Sequence, residues 1–191
     1  NEKGKVVVLG FRPTNLKDVR GNEAILNFLS NLNVQPIVHS NHADVKAVER
    51  ITENSSALLY LSNLSGEDKQ TNIQFIDPSR HNKVTRISGL KIARRSAIVW
   101  PINLQTELGN IKYLTSEIIG IEHRGNEEIV IHAWGYKGTN GRVAVSMKEP
   151  NKRSEEKFYT HSAEGKTLEF KGSRGTIKIL IEGMSPLSDL P

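Results

Sequence analysis

EIVIHAWGY, Glu128–Tyr136, followed after a short polar connection by GRVAVSMK, Gly141–Lys148, sets the architecture of this 191-residue chain. The first run is too short for a stable helix and dense in β-branched residues, so it reads as a strand. Its apolar side chains lie on both faces. Ile129, Ile131 and Ala133 fall on one and Val130 and Trp134 on the other, the pattern of a central strand covered on both sides. Lys137-Gly138-Thr139-Asn140-Gly141 between the runs contains an Asn-Gly pair, which supplies the positive φ angles of a tight hairpin. The spacing therefore predicts two antiparallel neighbours.

The same grammar extends in both directions. Downstream, Lys157–Thr160, Lys166–Lys171 and Gly175–Glu182 complete a predicted second antiparallel group. Upstream, strands are expected at Lys46–Thr52, Ser56–Ser62, Thr71–Ile76, Lys83–Ile87, Leu90–Ile92, Ala97–Asn103, Ile111–Thr115 and Glu117–Glu122. Polar turns such as Leu64-Ser65-Gly66-Glu67-Asp68 separate them. The opening differs. GKVVVLG (Gly4–Gly10), a helical stripe of Ile25, Phe28, Leu29 and Leu32, and an apolar run at Val34–His39 read as one strand–helix–strand unit. One such unit cannot cover its own parallel sheet, so the remainder of an α/β domain is expected upstream. The expected fold class is mainly β: two small antiparallel sandwich-like domains, 44–124 and 125–185, after an α/β remnant, 1–43, with an extended tail at 186–191.

Composition narrows the functions. No cysteine is present, which removes disulfides, thiolate zinc sites and cysteine nucleophiles and leaves the compartment open. No apolar stretch nears the roughly 18 residues of a membrane span. The net charge of +5 comes from scattered Lys and Arg, with Arg94-Arg95 and Lys152-Arg153 the tightest groups. Interspersed acids make this a mixed-charge surface rather than a nucleic-acid footprint.

Candidate sites thin out when spacing is applied. A glycosidase needs two carboxylates roughly 5–9.5 Å apart across a bond. The pairs Glu67-Asp68, Glu127-Glu128 and Glu155-Glu156 are sequence neighbours, so on strands they would point to opposite faces. His39, His42 and Asp44 could begin a metal site but lack further ligands at sensible spacing, and no metal is expected. His81, His123, His132 and His161 read as isolated. Gly165-Lys166-Thr167 lacks the upstream glycine and following helix of a phosphate loop, and no cofactor signature appears elsewhere. Gly172-Ser173-Arg174-Gly175 does not have the spacing of a nucleophile elbow. Trp134 and Tyr136, two apart on one strand, share a face. They could form a stacking platform for carbohydrate. The competing reading makes Trp134 an anchor of the second β-core with the Tyr136 hydroxyl at its rim, which the two apolar faces of the strand favour. Trp100, inside the densest apolar run, is expected in a core.

Several segments resemble, in order, the C-terminal region of microbial glycoside hydrolases of the β-galactosidase class, groups thirty-five and forty-two. They are Lys3–Gly10 with Asn22–Leu26, Asp44–Arg50, Ala57–Leu64, Ile92–Leu104, Tyr113–Gly120 and Trp134–Gly141. Ala93-Arg94-Arg95 stands where Pro-Pro-Arg is more usual. In that family a catalytic TIM barrel precedes a flavodoxin-like domain and then β-domains. The resemblance implies that residues 1–43 are the end of the flavodoxin-like domain. It also implies that the chain is a non-catalytic, structural portion of an enzyme acting on β-linked galactosides or related sugars. Its partners would be the upstream catalytic domain of the same polypeptide and, through subunit contacts, further copies. The family's catalytic carboxylates stand on barrel strands, so no catalytic residue transfers. The alternative is an autonomous carbohydrate-binding or protein-interaction sandwich; neither nucleic acid nor membrane is expected as a partner.

Overall fold

Along Ala57–Asn63 the side chains of Ala57, Leu59, Leu61 and Asn63 are buried, while Leu58, Tyr60 and Ser62 between them are more exposed. Period-two burial of this kind makes a strand with one face on a core, and it recurs through the computed structural model. The structure describes residues 38–52, 55–76, 84–149 and 153–185. The chain divides after Pro36, and the expected strand–helix–strand opening, as far as residue 37, lies outside the described residues, as does the tail from 186.

Thirteen strands make up the described part, with no helix among the described residues. They are β1 (Val38–Ser40), β2 (Val45–Ile51), β3 (Ala57–Asn63), β4 (Lys69–Ile76), β5 (Val84–Ile92), β6 (Ser96–Gln105) and β7 (Gly109–Leu114). Then follow β8 (Glu117–Arg124), β9 (Glu128–Tyr136), β10 (Asn140–Met147), β11 (Glu155–Thr160), β12 (Lys166–Gly172) and β13 (Gly175–Met184). They form three sheets: β1-β4-β5, β11-β10-β7-β6-β3-β2 and β12-β13-β9-β8.

The six-stranded sheet serves two cores. Leu59, Leu61, Ile98, Trp100 and Ile102 pack with Ile73, Phe75, Ile87 and Leu90 of the three-stranded sheet. Ile111, Leu114, Val143 and Val145 pack with Ile129, Ile131, Phe170, Ile177 and Ile179 of the four-stranded sheet. These cores lie on opposite faces. Ile102 pairs with Tyr113, and both contribute to the first core; Leu104 pairs with Ile111, and both contribute to the second. Residues two apart normally share a face, so the sheet inverts between them. The inversion falls at Asn103, whose φ is +53°, and a register shift in the β7–β10 pairing accompanies it.

Asn103 is 2 % exposed and bonded all round. Its Nδ2 donates to the Ser55 carbonyl at 2.7 Å, its Oδ1 accepts from the Asn110 and Gln105 amides, and its carbonyl accepts from Ser56 Oγ at 2.8 Å. Asparagine is among the few residues that adopt left-handed backbone readily, because its short amide bonds locally.

Several expectations change. β9 and β10 are not a hairpin; they belong to different sheets, and their connection is an arch whose positive φ sits at Gly138 (+80°), not at the Asn-Gly pair. The second group is not wholly antiparallel. The four connections from β9 to β13 each reverse the chain, so β13 returns parallel to β9, with Ile179 beside Ile131. Lys83–Ile87 and Leu90–Ile92 are one strand, β5, continued across a bulge at Gly89, whose N–H donates to Asn72 Oδ1 at 2.9 Å. Val38–Ser40 pairs with β4, so this end of the Val34–His39 run belongs to the β-structure. β8 and β9 pair as a hairpin across residues 124 and 125, and the two cores part at β6–β7.

Replacing Asn103 should be costly in a graded way. Asn103→Gly keeps the backbone and loses the bonds, about 1–3 kcal/mol; Asn103→Val adds about 1–3 kcal/mol of left-handed strain. Urea unfolding should therefore rank the parent above Gly and Gly above Val; equal stability of the two variants would place the inversion elsewhere.

Candidate functional site

Three places combine polar chemistry with defined geometry. The first lies inside, where β9, β10 and β11 meet the turn between β7 and β8. Ser116, His161 and Thr139 are buried there with Tyr159. His161 Nε2 is 2.8 Å from Ser116 Oγ, which is also 2.8 Å from the Tyr159 hydroxyl. His161 Nδ1 is 2.9 Å from Thr139 Oγ1 and 3.2 Å from the Thr139 carbonyl. Thr139 Oγ1–H donates to the Tyr136 carbonyl at 2.6 Å, which leaves its oxygen to accept from Nδ1–H. The tautomer assigned on this basis carries its proton on Nδ1. Nε2 then accepts from Ser116, and Ser116 accepts from Tyr159.

A serine within 2.8 Å of a histidine nitrogen is the geometry of an activated nucleophile. Here it is sealed. Ser116 is 0 % and His161 2 % exposed. A Cβ on Gly135 would overlap the His161 ring, and one on Gly141 the Tyr159 ring. Those glycines are needed because the rings lie directly on the backbone. No substrate carbonyl can reach Ser116 Oγ, and the partner on Nδ1 is a threonine rather than a carboxylate. The arrangement is a structural relay joining both sheets of the second sandwich. Burial lowers the His161 pKa from 6.5 to about 4 and raises that of Tyr159 to about 12.

The second place is the aromatic pair. Trp134, expected from its strand to anchor the second core, does not join it; it is half-buried on the face of β9 turned away from Ile129, Ile131 and Ala133. Tryptophan's large ring is rarely buried completely, and Val130 fills the covered part of that face instead. The Trp134 and Tyr136 rings stand 5.2 Å apart at 80°. They make a corner, not one flat surface. Tyr136 packs against the first core, and its hydroxyl donates to the Ala97 carbonyl at 3.0 Å. β7 pairs with β6 only from Ile102 onward, so the Ser96–Pro101 stretch of that edge lacks a neighbouring strand. Tyr136 caps one of its carbonyls, and Glu117 Oε2 accepts the Val99 N–H at 3.3 Å. These side chains do for the edge what a strand would.

The third is an open groove of about 320 Å³ over the outer face of β2, β3 and β6, lined by Lys46, Val48, Tyr60, Val99 and Glu117 among others.

Other expected sites stay apart. His42 Nδ1 accepts the Asp44 N–H at 3.2 Å, a turn contact, and no group of three potential metal ligands occurs among the described residues. Trp100 lies in the first core. Sequence reasoning treated His161 as isolated, although its partners Ser116 and Thr139 are 45 and 22 positions away. Only the sheet pairing brings them together. Asn63, within the resembling segment Ala57–Leu64, is fully buried, and its Nδ2 donates to the carbonyls of Glu67, Ile92 and Ala93. No protein-family model and no curated protein matches the chain.

The relay makes stability depend on pH. Between about 4 and 6.5 the unfolded histidine binds the proton that folded His161 refuses, so the contribution is complete above pH 6.5 and is lost as pH falls toward 4. The loss should approach about 3 kcal/mol. Urea titrations across that range should show the decline, and His161→Gln should flatten it. An unchanged slope in the variant would assign the effect to other groups.

Proposed function

We propose that this chain is a non-catalytic, structural portion of a β-galactosidase-class glycoside hydrolase, with the residues before Val38 ending a flavodoxin-like domain and a catalytic TIM barrel upstream. In this role it packs against the rest of the enzyme, which acts on β-linked galactosides or related sugars. The observation behind the non-catalytic part concerns three of the described carboxylates. Lys91 hydrogen-bonds Asp68, Arg124 hydrogen-bonds Glu122 and Lys178 hydrogen-bonds Glu128, and each acid is held below its ordinary range. A glycosidase acid needs the opposite, a carboxyl kept protonated by an apolar or anionic setting.

Two of the resembling segments meet in the fold. Ala57–Leu64 and Ile92–Leu104 lie largely on paired strands β3 and β6, and Asn63 of the first is tied to Ile92 and Ala93 of the second. The polar turn after the strand is thus a packing device. A second reading rests on the partial exposure of Trp134, which leaves ring surface for a sugar.

The purified chain should not hydrolyse aryl β-galactosides above background. Turnover abolished by changing one of its own Asp or Glu residues would overturn the non-catalytic reading, and a barrel-free sequence upstream of Asn1 would overturn the glycosidase assignment. Trp134→Ala should cost about 1–2 kcal/mol, below the ~3–5 kcal/mol of a fully buried aromatic. Calorimetric titration with galactose-containing oligosaccharides should give no heat; binding that disappears in Trp134→Ala would establish the second reading.

A further inference from the structure

The outer face of β2-β3-β6 carries three cross-strand rows, Lys46–Ser62–Ala97, Val48–Tyr60–Val99 and Arg50–Leu58–Pro101, of which only Pro101 is buried. Val48 is 61 %, Tyr60 40 % and Leu58 36 % exposed. An apolar strip rimmed by charge marks a contact surface. The rim is divided by sign. Lys46 and Arg50 stand on β2 at one side, and Glu117 closes the groove at the β6 side.

We propose that this face joins two copies of the chain, packed sheet on sheet about a two-fold axis parallel to β3 and passing over Tyr60. Such an axis exchanges the two sides of the face while keeping position along the strands. It sets the basic side of each copy over the acidic side of the other, Lys46 toward Glu117. It also sets Val48 on Val99, Leu58 on Leu58 and Tyr60 on Tyr60. Self-complementarity in both charge and apolar surface is what an isologous interface requires, and it selects a second copy over an unrelated partner. Edge-to-edge association is disfavoured by the same residues. Antiparallel pairing of two β2 strands centred on Val48 would set Lys46 opposite Arg50, a like-charge pair. The β8 edge is interrupted by a bulge at Ile119. The proposal does not depend on the glycosidase reading.

Light scattering and sedimentation of the full chain over a concentration series test it. The parent should approach twice the monomer mass at high concentration. Tyr60→Glu should be monomeric, with Tyr60→Ser, a milder change, weakening association and circular dichroism confirming the fold. Lys46→Glu should raise the dissociation constant about 10-fold or more. Combining it with Glu117→Gln, which still accepts the Val99 N–H but removes the like charge, should restore part of the loss. A parent that stays monomeric overturns the proposal. So does a dimer indifferent to both Tyr60 variants, or a double variant no tighter than Lys46→Glu.

Discussion

The inversion of the six-stranded sheet at Asn103 governs this molecule. A flat sheet would turn Ile102 and Leu104 to the same side, and one of the two cores would lose its contribution from β6. A single left-handed residue lets β6 give Trp100 and Ile102 to one core and Leu104 to the other. The cost of that backbone is offset by bonds to Ser55, Ser56, Gln105 and Asn110. The same inversion staggers the molecule. The three-stranded sheet covers one face at the β2–β3 end, and the four-stranded sheet covers the other face at the β10–β11 end. Each half of the shared sheet thereby keeps one face not covered by another described sheet, and the groove beside Tyr60 lies on one of these.

Polar chemistry inside the structure is spent on alignment. The Tyr159–Ser116–His161–Thr139 relay ties the second sandwich together through hydroxyls and a neutral imidazole, so no charge is buried. Asn63 ties the end of β3 to the turn after β5. Tyr136 and Glu117 close the open edge of β6. A Ser–His contact in this setting is informative because access and the third partner, not distance, separate a relay from a nucleophile.

Strand positions were legible because burial with period two leaves a direct mark in sequence: Glu128–Tyr136 occurs as read, and most other strands differ only by a residue or two at their ends. Pairing was not legible. Asn140-Gly141 has the composition of a hairpin turn, yet Gly138 takes the positive φ and the chain crosses between sheets, because the positions of Met184 and His161 decide where the turn must bond. The parallel β9–β13 pair follows from counting reversals, which requires knowing which strands pair. Trp134 misled because apolar side chains on both faces of a strand were taken as two covered faces, whereas Val130 alone fills the covered part. His161 left no local signal, since its partners come from distant strands.

If one sheet holds both cores, they cannot unfold independently, for melting either removes the support of β6 and β7. Differential scanning calorimetry combined with native-state hydrogen exchange of β3, β6, β9 and β13 tests this most directly. The account predicts that the strands of both cores open together, with amides of all four sharing one global opening free energy in a single transition. Two separated transitions, with β3 exchanging well before β13, would contradict it.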